Sequence, residues 1–209
     1  LHVPDVAEAK AASDRLVAEI LASQTALPVA LPVEPGPDAT ADLPTLSAVA
    51  TPGHPRRVLF SAMKNEAPFL LEWVAYHKAI GFDDIVICSN PSNDGTEDVL
   101  AALGSAGEIT HLRADPQPGE APQGQAARVF AQSRGYQDGS WYLWLDADEF
   151  LNVHVGQRTV DDLVKAVGGH DCLFINWRIF GSNGNATFPG RVLDPAFSRA
   201  AAPGFAANA

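Results

Sequence analysis

Short apolar runs alternate with segments of helical periodicity from residue 56 onward, and this alternation limits the fold more than any other feature. The apolar runs predict five β-strands, at residues 58–63, 85–89, 109–112, 141–145 and 172–180. The segments between them predict four helices, at residues 69–80, 96–103, 123–134 and 159–167. Because parallel strands need long crossovers that helices supply, this order predicts an α/β fold: a mostly parallel sheet with helices on both faces. Ligands bind such sheets beyond the carboxyl ends of the strands.

The first 55 residues differ in composition from the rest of the chain. Residues 5–24 are rich in alanine and carry a modest apolar stripe, which predicts one helix. Seven prolines between residues 25 and 55 remove backbone donors and block regular structure, which predicts a linker. We therefore expect an N-terminal helix and Pro/Ala-rich linker over residues 1–55, followed by one α/β domain over residues 56–209. The chain does not begin with methionine, and its only methionine is Met63, so we expect a fragment of a longer protein.

Charge and hydropathy narrow the class of partner. The net charge of −11 argues against a nucleic-acid partner, because phosphate backbones are bound by clustered Lys and Arg. A small phosphate ligand remains compatible, since a metal ion can supply the positive charge. No apolar run reaches the ~18 residues of a membrane span, and no signal peptide is evident. Cys88 and Cys172 lie in apolar runs without metal-site spacing, so we expect two buried free thiols and a cytoplasmic location.

The strongest functional motif is Asp146-Ala147-Asp148-Glu149, which directly follows the apolar run 141–145. Carboxylates two positions apart leave a strand on the same side, where Asp146 and Asp148 are able to share one hard cation, Mn²⁺ or Mg²⁺. That cation would bridge the oxygens of a diphosphate. A solvated loop or a helix cap is the competing interpretation of so short a pattern, but its place after a buried strand favours the metal site. Glu149 is either a third ligand or a support for the ligands.

Two more polar segments follow predicted strands. Lys64, Asn65 and Glu66 follow the first strand, where they either begin the next helix or face the base or ribose of a nucleotide. The loop at residues 89–96 offers side chains for a ribose or base, although a turn at Asp94-Gly95 and a cap at Thr96 explain half of it. The aromatic residues Trp73, Tyr76, Trp141, Trp144 and Trp177 are expected mostly in the core.

These motifs together resemble the family 2-like glycosyltransferases of the GT-A fold, in particular a bacterial branch with KNE and W…D-x-D-E-F motifs. The matching text is MKNEAPFLLEWVAYHKAIGFDDIVICSNPSNDGTEDVL, then QGQAARVFAQSRGYQDGSWYLWLDADEFL, then INWRIFGSNG, within residues 56–184. The resemblance implies a GT-A, Rossmann-like fold for the domain and does not extend to residues 1–55.

The resemblance also implies roles for individual residues. Asp146 and Asp148 match the carboxylates that bind the metal and the diphosphate. It places Glu66 against the nucleotide and Gln125 in the donor pocket, and Asp94 matches the Asp of the family's S-x-D-G-T stretch. Together with Lys64, Asn65 and Asn90, these are the candidate nucleotide-binding residues. Among these, Asn90 stands where the wider family usually has an Asp that contacts the nucleoside. Trp177, Phe180 and residues 181–184 match a stretch expected on the acceptor side.

The reaction implied is metal-dependent, inverting transfer of a sugar from a UDP- or GDP-linked donor to an acceptor hydroxyl, as in hexosyltransferases. Such a transfer needs a carboxylate base. The carboxylates after the metal motif include Asp161, Asp162 and Asp171, which suit structural positions, and Asp194 is the best remaining match. Residues 200–209 show no regular pattern, so the acceptor-binding part is expected to be truncated, with the base outside the chain.

Two other functions fit parts of the sequence. A non-catalytic module that binds a nucleotide-sugar would keep the metal motif and lack a base. A metal-dependent phosphohydrolase would also place Asp-x-Asp after a parallel strand, with Asp146 as the nucleophile. It would need a Lys in a later loop, and the only later lysine, Lys165, falls in a predicted helix.

Overall fold

The computed structural model describes Arg15 and residues 55–115, 119–133, 135–187 and 199–201. Strands and helices alternate through these ranges in the order β1 Arg57–Met63, α1 Leu70–Ala79, β2 Asp84–Ser89, α2 Thr96–Ser105, β3 Thr110–Arg113, α3 Pro122–Ser133, β4 Trp141–Trp144 and α4 Val160–Val167. Four of the five predicted strands and all four helices after residue 56 are thereby confirmed. The predicted N-terminal helix and linker lie outside the described residues, apart from Arg15 and Pro55.

The four strands form one parallel sheet in the order β3-β2-β1-β4. β1 is central: it pairs with β2 from Val58↔Asp84 to Met63↔Ser89 and with β4 from Arg57↔Trp141 to Phe60↔Trp144. The chain proceeds from β1 outward to β3 and then crosses back to β4 on the opposite side of β1. This arrangement is the predicted α/β fold and is consistent with a Rossmann-like sheet. Its topological switch point lies between the carboxyl ends of β1 and β4.

Helices cover both faces of the sheet, as the alternation predicts. Successive side chains of a strand point to opposite faces, so β1 sends Leu59 and Met63 into one hydrophobic cluster and Val58 and Phe60 into another. The first cluster contains buried side chains of α1, α2 and α4, and the second contains Ala126 and Phe130 of α3.

The two most apolar strands differ in burial. All residues of β2 from Ile85 to Ser89 are buried, which confirms a strand covered on both faces. β4 was expected to be equally buried, and this is wrong: its residues are only partly buried, and Trp144 is 36% exposed. The reason is position, because β4 pairs with β1 alone among the described strands and lies at an edge of the sheet.

The chain divides into two compact units, Leu1–Asp171 and Cys172–Ala209. The predicted strand at residues 172–180 falls in the second unit and is wrong, since residues 172–179 have no regular structure and are exposed. The described part of this unit makes one antiparallel bridge, Phe180↔Ala200. An apolar run predicts a strand only if another strand pairs with it, and hydropathy does not show whether a partner exists.

The two cysteines also differ. Cys88 is buried and free, as expected, and burial raises the pKa of its thiol to about 11. Cys172 is free but exposed, so its predicted burial is wrong, for the same reason as the strand to which it was assigned. In the part of the chain that the structure describes, every helix is too short or too polar to cross a membrane.

His77 of α1 is completely buried, and its two ring nitrogens have complementary partners. Nε2 accepts from the backbone N–H of Leu151 at 3.4 Å, so the proton is on Nδ1, which donates to the carbonyl oxygen of Trp73 at 2.9 Å. Burial lowers the pKa of the imidazole to about 3, against a smaller upward effect of the Trp73 carbonyl.

This depressed pKa predicts an acid-sensitive fold. Below pH 6.5 the His77 imidazole is protonated in the unfolded chain, whereas in the folded chain it stays neutral until about pH 3. The buried neutral His77 therefore makes its full contribution to stability above pH 6.5. As the pH falls, the free energy of unfolding decreases, by about 2 kcal/mol between pH 7 and pH 5. Denaturant unfolding should show His77→Gln to be less stable at pH 7 and less sensitive to acid than the parent. His154→Gln, at an exposed site, should keep the parent's pH dependence; equal acid sensitivity in all three proteins would contradict the prediction.

Candidate functional site at the carboxyl ends of the strands

Predicted site residues follow three neighbouring strands at one edge of the sheet. Lys64, Asn65 and Glu66 follow β1, the loop with Asn90 and Asp94 follows β2, and Asp146 and Asp148 follow β4. The carboxyl ends of parallel strands lie at the same edge, and β1 is adjacent to both other strands. The polar segments recognised in the sequence are therefore brought together at the switch point of the sheet.

The two aspartates lie in a turn just beyond β4. Leu145 still donates its backbone N–H to Phe60 of β1 at 3.1 Å, and the N–H of Glu149 then closes a turn on the carbonyl oxygen of Asp146 at 3.1 Å. Ala147 is buried within this turn, Asp146 is partly buried and Asp148 is exposed. A turn, not the alternation of a strand, thus sets the directions of the two carboxylates.

The carboxylate of Glu149 points back into the turn. Its Oε2 accepts the backbone N–H of Asp146 at 3.0 Å. This contact favours the second of the two interpretations of Glu149, as a support for the neighbouring aspartates.

Glu66 shows that the acidic side chains lie close enough to interact. Burial raises the pKa of its carboxyl group, and the negative charges of Asp148, Asp94 and Asp146 raise it further, in that order. The carboxylate that follows β1 is therefore repelled by carboxylates that follow β2 and β4. Such a cluster becomes more favourable when a cation is bound, because opposite charge stabilises each ionised carboxyl group.

The donor set fits a cation that is shared with a ligand. Among the described residues, no group of three or more His, Cys, Asp or Glu side chains is placed to enclose a metal ion. Mg²⁺ sites commonly use only one or two carboxylates, with phosphates and water as the remaining ligands. Asp146 and Asp148 suit that kind of open site.

Asn65 and Asp94 join the loops that follow β1 and β2. Asn65 has a left-handed backbone with φ of 59°, which asparagine tolerates, and its Oδ1 accepts the N–H of Asn93 at 3.0 Å. Asp94 accepts from the backbone N–H of Ala67 at 3.0 Å and from the N–H and hydroxyl of Thr96 at 3.0 and 2.6 Å. Both side chains thus already have partners within the protein.

Thr96 has a different role from the helix cap that the sequence predicts. Gly95, with φ of 93°, precedes α2 and provides no side-chain cap. The Thr96 hydroxyl oxygen instead accepts the backbone N–H of Glu66 at 2.8 Å, which adds another bond between the two loops.

Asn90 and Gln125 bind the segment after β3. Asn90 is buried and donates its side-chain N–H to the carbonyl of Ala114 at 2.8 Å, while Gln125 donates to the carbonyl of Asp115 at 2.8 Å. The Oε1 of Gln125 is buried and has no hydrogen-bond partner, so one acceptor remains unused there. Lys64 is exposed.

Other predicted residues are not brought to this edge by anything the structure describes. Asp194, the predicted base, lies outside the described residues. Trp177 and Phe180 belong to the second unit, where they are 81% and 53% exposed, so the expectation that Trp177 lies in the core is wrong. Their assignment to the acceptor side remains a prediction.

Trp73 and Tyr76 have polar contacts that the sequence analysis missed. Both were assigned to the core, yet each donates a hydrogen bond to the segment that contains the acidic turn. The available signal was chemical: a buried Trp or Tyr usually requires a partner for its N–H or O–H group.

Two curated plant proteins share sequence similarity with the chain. One, from rice (Oryza sativa subsp. japonica), is 32% identical over 104 residues, which cover 49% of this chain and 17% of the rice protein. The other, from Arabidopsis thaliana, is 31% identical over 86 residues, which cover 41% of this chain and 14% of the plant protein. Both are named glycosyltransferase family 92 proteins. This similarity supports a glycosyltransferase.

The chain therefore spans less than a fifth of the length of either relative. Neither relative is named a family 2-like enzyme, and both come from plants rather than bacteria. No protein-family model and no solved structure matches the chain.

The contacts of Asp94 predict a structural defect when it is replaced. Burial by itself raises the pKa of this carboxyl group, but the hydrogen bonds from Thr96 and Ala67 lower it below its usual value. Asp94→Ala removes three hydrogen bonds to a charged acceptor and should lower the free energy of unfolding by about 2–4 kcal/mol. Asp98→Ala, at an exposed position in the first turn of α2, should cost less than about 1 kcal/mol. Urea denaturation measures the free energy of unfolding of both variants. If Asp94→Ala loses no more stability than Asp98→Ala, Asp94 does not hold the two loops together.

Proposed function

We propose that the chain is the donor-binding part of a metal-dependent glycosyltransferase of the GT-A fold. In this proposal Asp146 and Asp148 hold Mn²⁺ or Mg²⁺ against the diphosphate of a UDP- or GDP-linked sugar. The single observation that carries it is the acidic turn at the switch point of a parallel sheet, where Asp146 and Asp148 both lie within electrostatic reach of Glu66. The naming of both plant relatives supports the transferase class.

The finer family assignment rests on the motifs alone. The resemblance to family 2-like enzymes comes from the segments around Glu66, Asp94 and Asp148, whereas both relatives carry the family 92 name. The two comparisons agree on glycosyl transfer, so the proposal for the reaction does not depend on which family is correct.

The chemistry divides between the cation and the chain. When bound, the cation neutralises the charge that develops on the departing nucleoside diphosphate. Asp146 and Asp148 supply anionic oxygen ligands, and Glu149 supports the turn that carries them through the Asp146 amide. Gln125, whose Oε1 accepts no hydrogen bond within the described residues, is our proposal for a residue that lines the donor pocket.

For the transfer itself we propose single displacement with inversion at the anomeric carbon. The acceptor hydroxyl loses its proton to a carboxylate base as its oxygen attacks, and the bond to the diphosphate oxygen breaks. Asp194 is our proposal for that base within this chain. The donor sugar and the acceptor, a glycan or a small molecule, are matters for substrate screening.

Calorimetric titration tests the donor-binding half of this proposal. We expect the protein to bind UDP or GDP in the presence of Mn²⁺ and far more weakly without it. Asp148→Asn removes a direct ligand and should weaken this binding by at least about 10-fold, because even outer partners of metal ligands contribute ~10–100-fold. Asp98→Asn removes the same charge at an exposed site on α2 and should bind like the parent.

Three results would count against the proposal. Binding that does not depend on Mn²⁺ would exclude the metal–diphosphate contact. Equal binding by the parent and Asp148→Asn would exclude this acidic pair. Hydrolysis of simple phosphate esters that disappears in Asp146→Asn would favour a phosphohydrolase. Metal-dependent binding without any sugar transfer by the full-length protein would instead support a non-catalytic module of the same fold.

A further inference from the structure

The indole of Trp73 is fixed against the backbone of the acidic turn. Trp73 is completely buried in α1, and its Nε1–H is shared between the carbonyl oxygens of Asp146 at 3.0 Å and Glu149 at 2.9 Å. These carbonyls are the first and last of the turn. One donor therefore ties both ends of the segment that carries the two aspartates.

The same face of α1 holds the chain just after the turn. The hydroxyl of Tyr76 donates to the carbonyl of Leu151 at 2.9 Å, and Nε2 of His77 accepts the N–H of the same residue at 3.4 Å. Trp73, Tyr76 and His77 are spaced three and four positions apart, so they lie side by side on the helix. Residues 146–151 are thus attached to one rigid helix at several points.

The geometry of the turn leaves little freedom to Asp148. Glu149 closes the turn by donating its N–H to the carbonyl of Asp146 at 3.1 Å, which leaves only Ala147 and Asp148 between the two ends. Ala147 is 5% exposed and belongs to the same hydrophobic cluster as Trp73. With the ends tied and Ala147 packed inward, Asp148 is directed outward.

We propose that Trp73 is a positioning residue for metal binding: its shared N–H holds the turn in the shape that presents Asp146 and Asp148 to one cation. The proposal rests on the proposed function, since it concerns the same pair of carboxylates. Removing the N–H keeps both aspartates in the chain but releases the two carbonyls of the turn. The carboxylates must then be ordered each time a cation binds. Groups that orient metal ligands commonly contribute ~10–100-fold to metal affinity.

The test compares replacements of Trp73 that remove the N–H with a matched control. Trp73→Phe removes the donor and some volume, and 3-benzothienylalanine at position 73 removes the donor while keeping the size of the indole. Trp141→Phe is the control, because Trp141 lies at the opposite end of β4 from the acidic turn. Mn²⁺ binding is measured by electron paramagnetic resonance with Mn²⁺ alone and with UDP or GDP, and amide hydrogen exchange is measured at Glu149. Thermal unfolding reports any general loss of stability.

Both Trp73 replacements should weaken Mn²⁺ binding by about 10-fold or more and should speed exchange of the Glu149 amide. The isostere keeps the packing of the indole, so it should lower the melting temperature less than Trp73→Phe does while weakening Mn²⁺ binding as much, which separates positioning from packing. Trp141→Phe should match the parent in both readouts. If the isostere binds Mn²⁺ as the parent does, or if exchange of the Glu149 amide is unchanged, the positioning role is wrong. The metal site still stands in that case if Asp148→Asn loses Mn²⁺ binding. If the parent itself fails to bind Mn²⁺ with either nucleotide, the proposed function and the positioning role both fail.

Discussion

The parallel pairing of β1 with β2 on one side and with β4 on the other is the constraint on which the candidate site depends. It makes β1 the central strand and creates a switch point, because the chain leaves β1 toward β2 and β3 and returns on the opposite side. Three strand ends thereby become neighbours. Glu66 and Asp148 are separated by 82 positions in the sequence (148 − 66), and without this pairing Glu66, Asp94 and the acidic turn would lie on unrelated loops.

The loops at this edge are held rigidly although their charges repel. Asp94 and Asn65 join the first two loops, and Glu149 and Trp73 hold the turn after β4. Folding thus keeps carboxylates near one another that would separate if the loops were free, and the raised pKa of Glu66 reflects this repulsion after the larger effect of burial. A preformed cluster of like charge gains more from a cation than a flexible one, because the ordering has already occurred during folding.

The sequence predicted those features that depend on local pattern. Hydropathy located the strands from β1 to β4 and the helices between them. Asp162, expected in a structural position, forms the capping box of α4 with Thr159. Hydropathy could not predict which segments pair with one another when they are distant in the chain. The apolar run at residues 172–180 and the edge position of β4 both depend on which strand pairs with which, and no local pattern records this.

The same limit applies within the site. The motif around Asp146 and Asp148 was recognisable because its residue types suit a metal, but the engagement of Asn90 with Ala114 depends on backbone groups that any residue supplies. The role of Trp73 was hidden for a similar reason. An apolar helix face and a face that also donates to a distant turn have the same periodicity, and only the fold distinguishes them.

Crystallography with anomalous scattering at the manganese edge, on crystals grown with Mn²⁺ and UDP or GDP, tests the central claim most directly. We expect one anomalous peak bonded to carboxylate oxygens of Asp146 and Asp148 and to both phosphates of the nucleotide. A nucleotide bound elsewhere, or a peak that touches neither aspartate while the carboxylates point away from the diphosphate, would contradict it.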